Sequence, residues 1–412
     1  MDDDIVPPPP QPPPLLPPES LHHLCTHGYL GLNLPHHLAN QYDQLLAASD
    51  AFFAEPAETK RLYCPGTGLG PEHRGPPTSA TNTERGYTHI DGEKEYLTLR
   101  KSMTHLPPGI YDAAAPLWHD TAHLLHRILG DIGVYLGLGP TAWDGVVSDS
   151  LEPSDGFYED DKKDDKTDKG KDAEPDEQPR NGRARTHPRD DPPTLLRLFR
   201  YEPGGGGAEQ HRDLGLLTLC VCWGKGLQVR PQIPRRAPGH ADDSAPPPPP
   251  QPPTPWLDAP RVTVMTGDTL HVLSTNRIPS AQHRVVVDPK EAAGTGAETD
   301  GEKKDTPLSE SRRSIVFALR ATTAGDIDLT NFGGFGSVGA RELYDNIRKS
   351  RVNINANKET RAVMRAEYER VRGKGKGKEA EQAAEDPKGT GKENVESIDG
   401  ENTIEGEPVG VA

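Results

Sequence analysis

Apolar positions change their spacing twice along the chain. Leu38, Tyr42, Leu45, Leu46, Phe52 and Phe53 recur near helical intervals, and Pro56 closes the pattern. A longer stripe runs from Leu117 through Leu124, Leu125, Ile128 and Ile132 to Leu136, with Pro140 beyond it. Both predict amphipathic helices, because 3.6 residues per turn gathers such positions on one face. Between them Pro65 to Thr83 is rich in Gly, Pro, Ser and Thr and reads as loop. Past residue 192 the period shortens. Leu195 to Tyr201, Leu214 to Trp223, Val262 to Val264, Thr269 to Leu273, Val285 to Val287 and Ser314 to Leu319 are short apolar runs. Gly, Pro and charged breaks separate them, so they predict strands. Several short strands in succession favour an antiparallel sandwich or jelly roll. From Ala340 helical spacing returns with Leu343, Ile347, Val363, Met364, Tyr368 and Val371.

Composition explains why so polar a chain can still hold such a core. Hydrophobic residues are 33% of 412, below the ordinary globular share, but the polar excess is local. Pro7 to Pro18 holds 9 prolines and Pro246 to Pro255 holds 8, while 15 of the 19 residues from Glu159 to Glu177 are charged. Segments this polar bury too little apolar surface to offset the entropy of ordering and are expected to be disordered. What remains suits one large domain or a core with a helical annex.

The net charge of −16 argues against a general affinity for nucleic acid. No stretch approaches the roughly 20 apolar residues of a membrane span. Met1-Asp2-Asp3-Asp4 does not open a secretory signal. Cys25, Cys64, Cys220 and Cys222 form neither a disulfide nor a zinc framework and read as buried reduced thiols of a cytoplasmic protein. Gly204 to Gly207 lacks the Gly-Lys-Ser/Thr of a phosphate loop and reads as a flexible lead-in to His211. Lys374, Lys376 and Lys378 read as part of a solvated tail.

Candidate chemistry lies in the histidines. On a strand, His-x-Asp aims both side chains at one face, and a third ligand from another strand completes a facial triad with open metal positions. The pair alone is weak evidence, since chance gives about 2.4 His-x-acid matches at this composition. Three occur: His89-Ile90-Asp91, His211-Arg212-Asp213 and His240-Ala241-Asp242. The third borders a proline tract, and the first sits in a polar, turn-like stretch with no apolar strand after it. Only the second leads into an apolar run, Leu214 to Leu219. His119 and His123 have the i, i+4 spacing of a zinc-protease helix, but Asp120 stands where the general-base glutamate belongs. They read as a solvated helix face, and His22, His23, His36 and His37 read as surface residues.

Around the second pair the motifs become specific. His211-Arg212-Asp213, Leu217-Thr218-Leu219 and Gly226 to Val229 come first. Gly267 to Leu270, Ser274-Thr275-Asn276, Ser280 to Val285 and Arg312-Arg313-Ser314 follow in order. This series resembles the iron(II)/2-oxoglutarate-dependent dioxygenases of the isopenicillin N synthase-like group. Phe52-Phe53, Gly86-Tyr87 and Glu93-Lys94-Glu95 are similar to that group's less specific N-terminal region, so the resemblance covers roughly residues 19–335.

The resemblance implies a mixed α and β protein, with a double-stranded β-helix (jelly roll) core, flanking N- and C-terminal helices and disordered insertions. It implies His211, Asp213 and His283 as ligands of Fe(II). Arg312, Ser314 and Tyr201 are implied to hold the distal carboxylate of the co-substrate 2-oxoglutarate, a role for which the planar guanidinium fork is suited. O2 would be the oxidant, a small molecule the substrate, and hydroxylation the default outcome. No catalytic residue is implied beyond the metal centre.

The organisation that follows is a Pro-rich tail (1–18), an N-terminal helical and mixed region (19–151) and an acidic linker (152–191). A jelly-roll core (192–335) with insertions at 235–255 and 289–310, C-terminal helices (336–372) and a disordered tail (373–412) complete it. Those insertions account for the 72-residue interval from His211 to His283 and the 29-residue interval from His283 to Arg312. Phe199-Arg200-Tyr201-Glu202-Pro203 departs from the group's usual Asn-Tyr-Tyr-Pro. Two alternatives stay open: an iron oxidase without 2-oxoglutarate, whose substrate carboxylate would take Arg312 and Ser314, or a non-catalytic interaction protein whose Pro-rich tracts bind partners in extended form.

Overall fold

Strand-forming runs that are apolar on both faces need cover on both sides, and the architecture follows from that. The computed structural model describes residues 14–64, 84–101, 106–153, 193–232, 254–287, 311–349 and 351–370. Nearly all of the segments expected to be disordered lie outside the described residues. The first tail ends earlier than expected. Leu15 and Leu16 donate backbone N–H bonds to the Asp131 carboxylate at 2.9 and 2.8 Å, Leu16 is buried, and helix α1 (Pro18–His27) starts at once.

Thirteen strands form three antiparallel sheets among the described residues. The largest has seven strands in the order β1 (Tyr29–Gly31), β9 (Val262–Thr266), β6 (Leu217–Trp223), β11 (Arg313–Leu319), β4 (Leu195–Tyr201), β3 (Lys94–Arg100) and β2 (Gly86–Ile90). The second orders β5 (Ala208–His211), β10 (Gln282–Val285), β7 (Leu227–Arg230) and β8 (Leu257–Asp258). A short hairpin pairs β12 (Asp326–Asp328) with β13 (Ser337–Gly339).

Period-two alternation sorts the large sheet's side chains into two layers. Leu97, Leu99, Leu196, Leu198, Leu219, Ile315 and Phe317 face the helices, chiefly α2 (His36–Ala54) and α4 (Ile110–Tyr135). Trp118 of α4 meets Phe317 edge-on, with centroids 5.0 Å apart. Tyr96, Phe199, Tyr201, Cys220, Cys222 and Met265 point the other way, into an apolar layer shared with Ala208, Leu227, Val229 and Val285 of the second sheet. The interval between these two sheets contains the candidate site. Short helices α3 (Ala57–Arg61) and α5 (Asp144–Leu151) and the C-terminal α7 (Ala340–Lys349) complete the cover. Residues 365–370 belong to a separate unit and are helical.

Two sequence expectations fail for physical reasons. Thr269 to Leu273 is not a strand but part of a one-turn helix, α6 (Asp268–Leu273). Leu270 and Leu273, three apart, are both fully buried, and the Ser274 N–H closes the turn on the Leu270 carbonyl at 2.8 Å. Five residues are too few for alternation to separate a strand from a helical turn. The stretch around His89 is not turn-like: Gly86–Ile90 is a strand and a second strand follows directly. In β3 the buried Lys94, Glu95 and Arg100 mask an otherwise apolar pattern.

Candidate metal centre

His211 ends β5 and His283 lies in β10, and the two are direct partners across that strand pair. From Ala208 to His211 β5 takes three steps while β10 takes two, from Val285 to His283, so β5 carries a bulge beside the site. Such a bulge re-aims the side chain that follows it. Asp213 follows two residues after the strand rather than within it. The imidazole centroids are 4.0 Å apart. His211 Nε2 lies 3.8 Å from Asp213 Oδ1, and His283 Nε2 lies 3.8 Å from Asp213 Oδ2.

One ligand atom from each residue falls within 4.8 Å of the others, so a single ion fits among them. His211 Nδ1 sits 2.7 Å from the Glu209 carbonyl and His283 Nδ1 3.3 Å from the Ala281 carbonyl. With Nδ1–H donating to those carbonyls, each Nε2 is left as a lone-pair donor facing the centre. Burial, then neighbouring His283, lowers the His211 pKa well below its ordinary value and keeps the ring neutral. For Asp213 burial works upward, but His283 and His211 outweigh it and bring the carboxyl to about 2. Two imidazoles and one ionised carboxylate suit a divalent first-row metal.

Glycines hold β10 in place on both sides. A Cβ on Gly207 would lie 1.8 Å from the Val285 carbonyl oxygen, and one on Gly226 (φ +111°) 2.0 Å from that of Val286. The Gly204 to Gly207 run is therefore a close-approach element at its last residue. Gly207→Ala is expected to push β5 from β10, separate His211 from His283 and lower metal affinity about tenfold, as loss of a supporting contact does. Metal titration checks this, and unchanged affinity would show that the bulge tolerates a side chain.

The second implied cluster also assembles. Arg312 lies just before β11 and Ser314 within it, with Arg312 Nη1 3.5 Å from Ser314 Oγ. The Arg312 guanidinium lies 4.7 Å from the Tyr201 ring centroid, donates to the Lys225 carbonyl at 3.0 Å and reaches Cys222 Sγ at 3.1 Å. Tyr201 hydrogen-bonds Ser314, and burial pushes its phenol up to about 12, so it remains a donor at neutral pH. Cys220 and Cys222 are free thiols 3.5 Å apart, and Cys220 feels both Arg312 and Asp213, which links the two ends of the site.

The other described histidine pairs lie on the surface. His89 has Glu202 at 2.8 Å and its own Asp91 at 3.4 Å. His119 and His123 lie on an exposed face as expected, but Glu152 comes within 2.8 and 2.9 Å of them. His240 lies outside the described residues. Lys94, visible in the sequence only within Glu93-Lys94-Glu95 and without a role, is buried here. No sequence motif indicates the segment Ile354 to Ala356, which crosses the inner layer: the Tyr96 hydroxyl donates to the Asn355 carbonyl at 2.8 Å, and Ala356 is buried. A cleft of about 460 Å³ lined by Glu93, Gly207, Glu209 and Arg361 opens beside β5. Among the described residues no helix is long and apolar enough to cross a membrane.

No family model matches the chain. Compared over 161 positions that cover 37% of the chain, it is 30% identical to the oxidoreductase vrtI of Penicillium aethiopicum, and the match spans 30% of that protein's length. Among solved structures, a full-length Neurospora crassa protein in complex with alpha-KG is 18% identical with a TM-score of 0.48. That match covers 80% of this chain and 88% of that one. The rice dioxygenase for auxin oxidation is 16% identical with a TM-score of 0.45, covering 80% and 88%.

Proposed function

We propose that the chain is a non-haem iron(II)- and 2-oxoglutarate-dependent dioxygenase that oxidises, by default hydroxylates, a small organic substrate. Its two facing sheets are read as a double-stranded β-helix, with residues 192–335 as the catalytic core. The observation that carries this reading is the convergence of His211, Asp213 and His283 in the same inter-sheet layer as the Arg312–Ser314–Tyr201 cluster.

In this reading the triad holds the iron, and the arginine fork with the Ser314 and Tyr201 hydroxyls holds the distal carboxylate of 2-oxoglutarate. Iron with 2-oxoglutarate bound supplies oxygen activation coupled to conversion of the co-substrate to succinate and carbon dioxide. The chain's own residues orient and exclude. The Glu209 and Ala281 carbonyls fix the imidazole tautomers, Tyr201 stays protonated as a donor, and the segment Ile354 to Ala356 covers the layer against bulk water.

The deciding experiment supplies the full chain with Fe(II), O2 and 2-oxoglutarate labelled at the carboxyl carbon next to its keto group. Iron-dependent release of labelled carbon dioxide with matching succinate is expected, and a chelator should abolish it. Oxygen uptake without succinate would move the protein to the oxidase alternative. Equal traces with and without chelator would sink the reading.

A further inference from the structure

Lys94 is fully buried, and its situation differs from that of the other buried lysine. Lys60 has the Glu95 carboxylate at 2.8 Å and the Phe53 carbonyl at 3.0 Å. Lys94 has one long hydrogen bond, 3.5 Å to the Ile354 carbonyl, for an ammonium with three donors. Among the described residues no carboxylate pairs with it. The adjacent Glu93 is committed to Arg361, at 2.6 and 3.0 Å. A cation buried without a counter-ion is costly, and folded proteins normally pair it.

Its position relates this deficit to the site. Lys94 is the ladder partner of Tyr201 in the β3–β4 pair and, like Tyr96, points into the inner layer. Its Nζ lies 5.7 Å from the Phe199 ring centroid and 6.0 Å from that of Tyr201, the ring that also carries Arg312. Lys94 is close enough to His211 and to Arg312 for the charges to act on one another. Burial lowers its pKa to about 7; Glu93 pulls the other way, while Arg197, Arg361 and Arg312 add to the lowering. Glu93 is the one carboxylate that acts on Lys94, and it is held by Arg361; among the described residues neither Lys94 nor Arg312 hydrogen-bonds a carboxylate.

We propose that Lys94 is a carboxylate-binding residue of the site, a second cation beside Arg312 that exchanges the Ile354 carbonyl for an anionic group of the bound ligand. The inference rests on the dioxygenase reading for the identity of the site. The carboxylate belongs either to 2-oxoglutarate or to an acidic primary substrate, and two titrations separate these sources. In the first, 2-oxoglutarate is titrated into the Fe(II)-loaded chain without oxygen, comparing wild type, Lys94→Gln and Lys94→Arg.

A 10- to 100-fold weakening in Lys94→Gln, the range expected for a lost hydrogen bond to a charged group, with recovery in Lys94→Arg would assign the co-substrate. In the second, acetate, the minimal carboxylate, is titrated with 2-oxoglutarate already bound. Binding to wild type that is lost in Lys94→Gln would assign the substrate pocket. If neither affinity depends on Lys94, the inference is overturned. Failure of wild type to bind 2-oxoglutarate would count against the dioxygenase reading alone, because acetate can then be titrated into the metal-free chain. Melting temperature gives an independent readout. Lys94→Gln should melt no lower than wild type if the charge is held for a ligand, whereas a structural lysine would lower it.

Discussion

Substituting Asp213 with asparagine is expected to abolish iron-dependent turnover and to weaken divalent-metal binding by on the order of 100-fold or more. Loss of a residue that merely supports a ligand costs about 10- to 100-fold, so loss of a charged ligand should reach or exceed the upper end. Asp213 is the only acid of the triad and is fully ionised at neutral pH, its carboxyl lying at about 2. Asparagine preserves the shape and one oxygen but removes the charge that offsets the ion. Folding should survive, because the Asp213 side chain is partly exposed and its removal strands no buried cation. The measurement is therefore differential. Metal at about 100 times its dissociation constant stabilises a binding-competent protein by about 2.7 kcal/mol. Wild type should show that shift in melting temperature and Asp213→Asn should not, while the metal-free proteins melt together. A full metal-induced shift in the variant would remove Asp213 from the ligand set.

How much of this site the sequence discloses depends on whether a residue's role is local. His211 and Asp213 are two apart, and their spacing with the apolar run after them suffices to single them out. His283 is 72 residues away, and only the ordered motifs around Ser280 to Val285 indicate it. The long helices were legible because their apolar stripes exceed three turns. Strand β3 was not, because a strand buried on both faces loses its alternation and here carries Lys94, Glu95 and Arg100 inside. Glu93-Lys94-Glu95 was visible as a resemblance, yet its three residues diverge in space. Glu93 pairs with Arg361, Lys94 turns to the inner layer, and Glu95 turns to the helices. Nothing in a linear sequence assigns partners 35 or 268 positions away.

The largest stability effect is expected at Glu95. Its buried carboxylate accepts the Lys60 ammonium at 2.8 Å and the Tyr87 hydroxyl at 2.6 Å, and it also pairs with Arg200. This cluster lies between the large sheet and the helices, where Phe53 gives the Lys60 ammonium a carbonyl and stacks against the Arg200 guanidinium at 5.6 Å. Glu95→Ala would leave two cations and a phenol without their shared acceptor. Removing one partner of a buried pair costs about 3–5 kcal/mol. Arg200 is about a third exposed and can turn to water, whereas the Lys60 side chain is only 10% exposed and cannot, so the lower half of that range is expected. For a core of this size that corresponds to a fall of roughly 6–12 °C in melting temperature. Glu95→Gln keeps an acceptor for Tyr87 and should cost less, about 1–3 kcal/mol. A second substitution, Lys60→Met, separates lost attraction from stranded charge. If the stranded ammonium dominates, Lys60→Met in the Glu95→Ala background should restore part of the stability, although alone it destabilises. Denaturant melts of the four proteins give this coupling directly. A Glu95→Ala variant within about 0.5 kcal/mol of wild type, the usual spread of neutral surface changes, would mean that the helix–sheet seam is held by its apolar contacts alone.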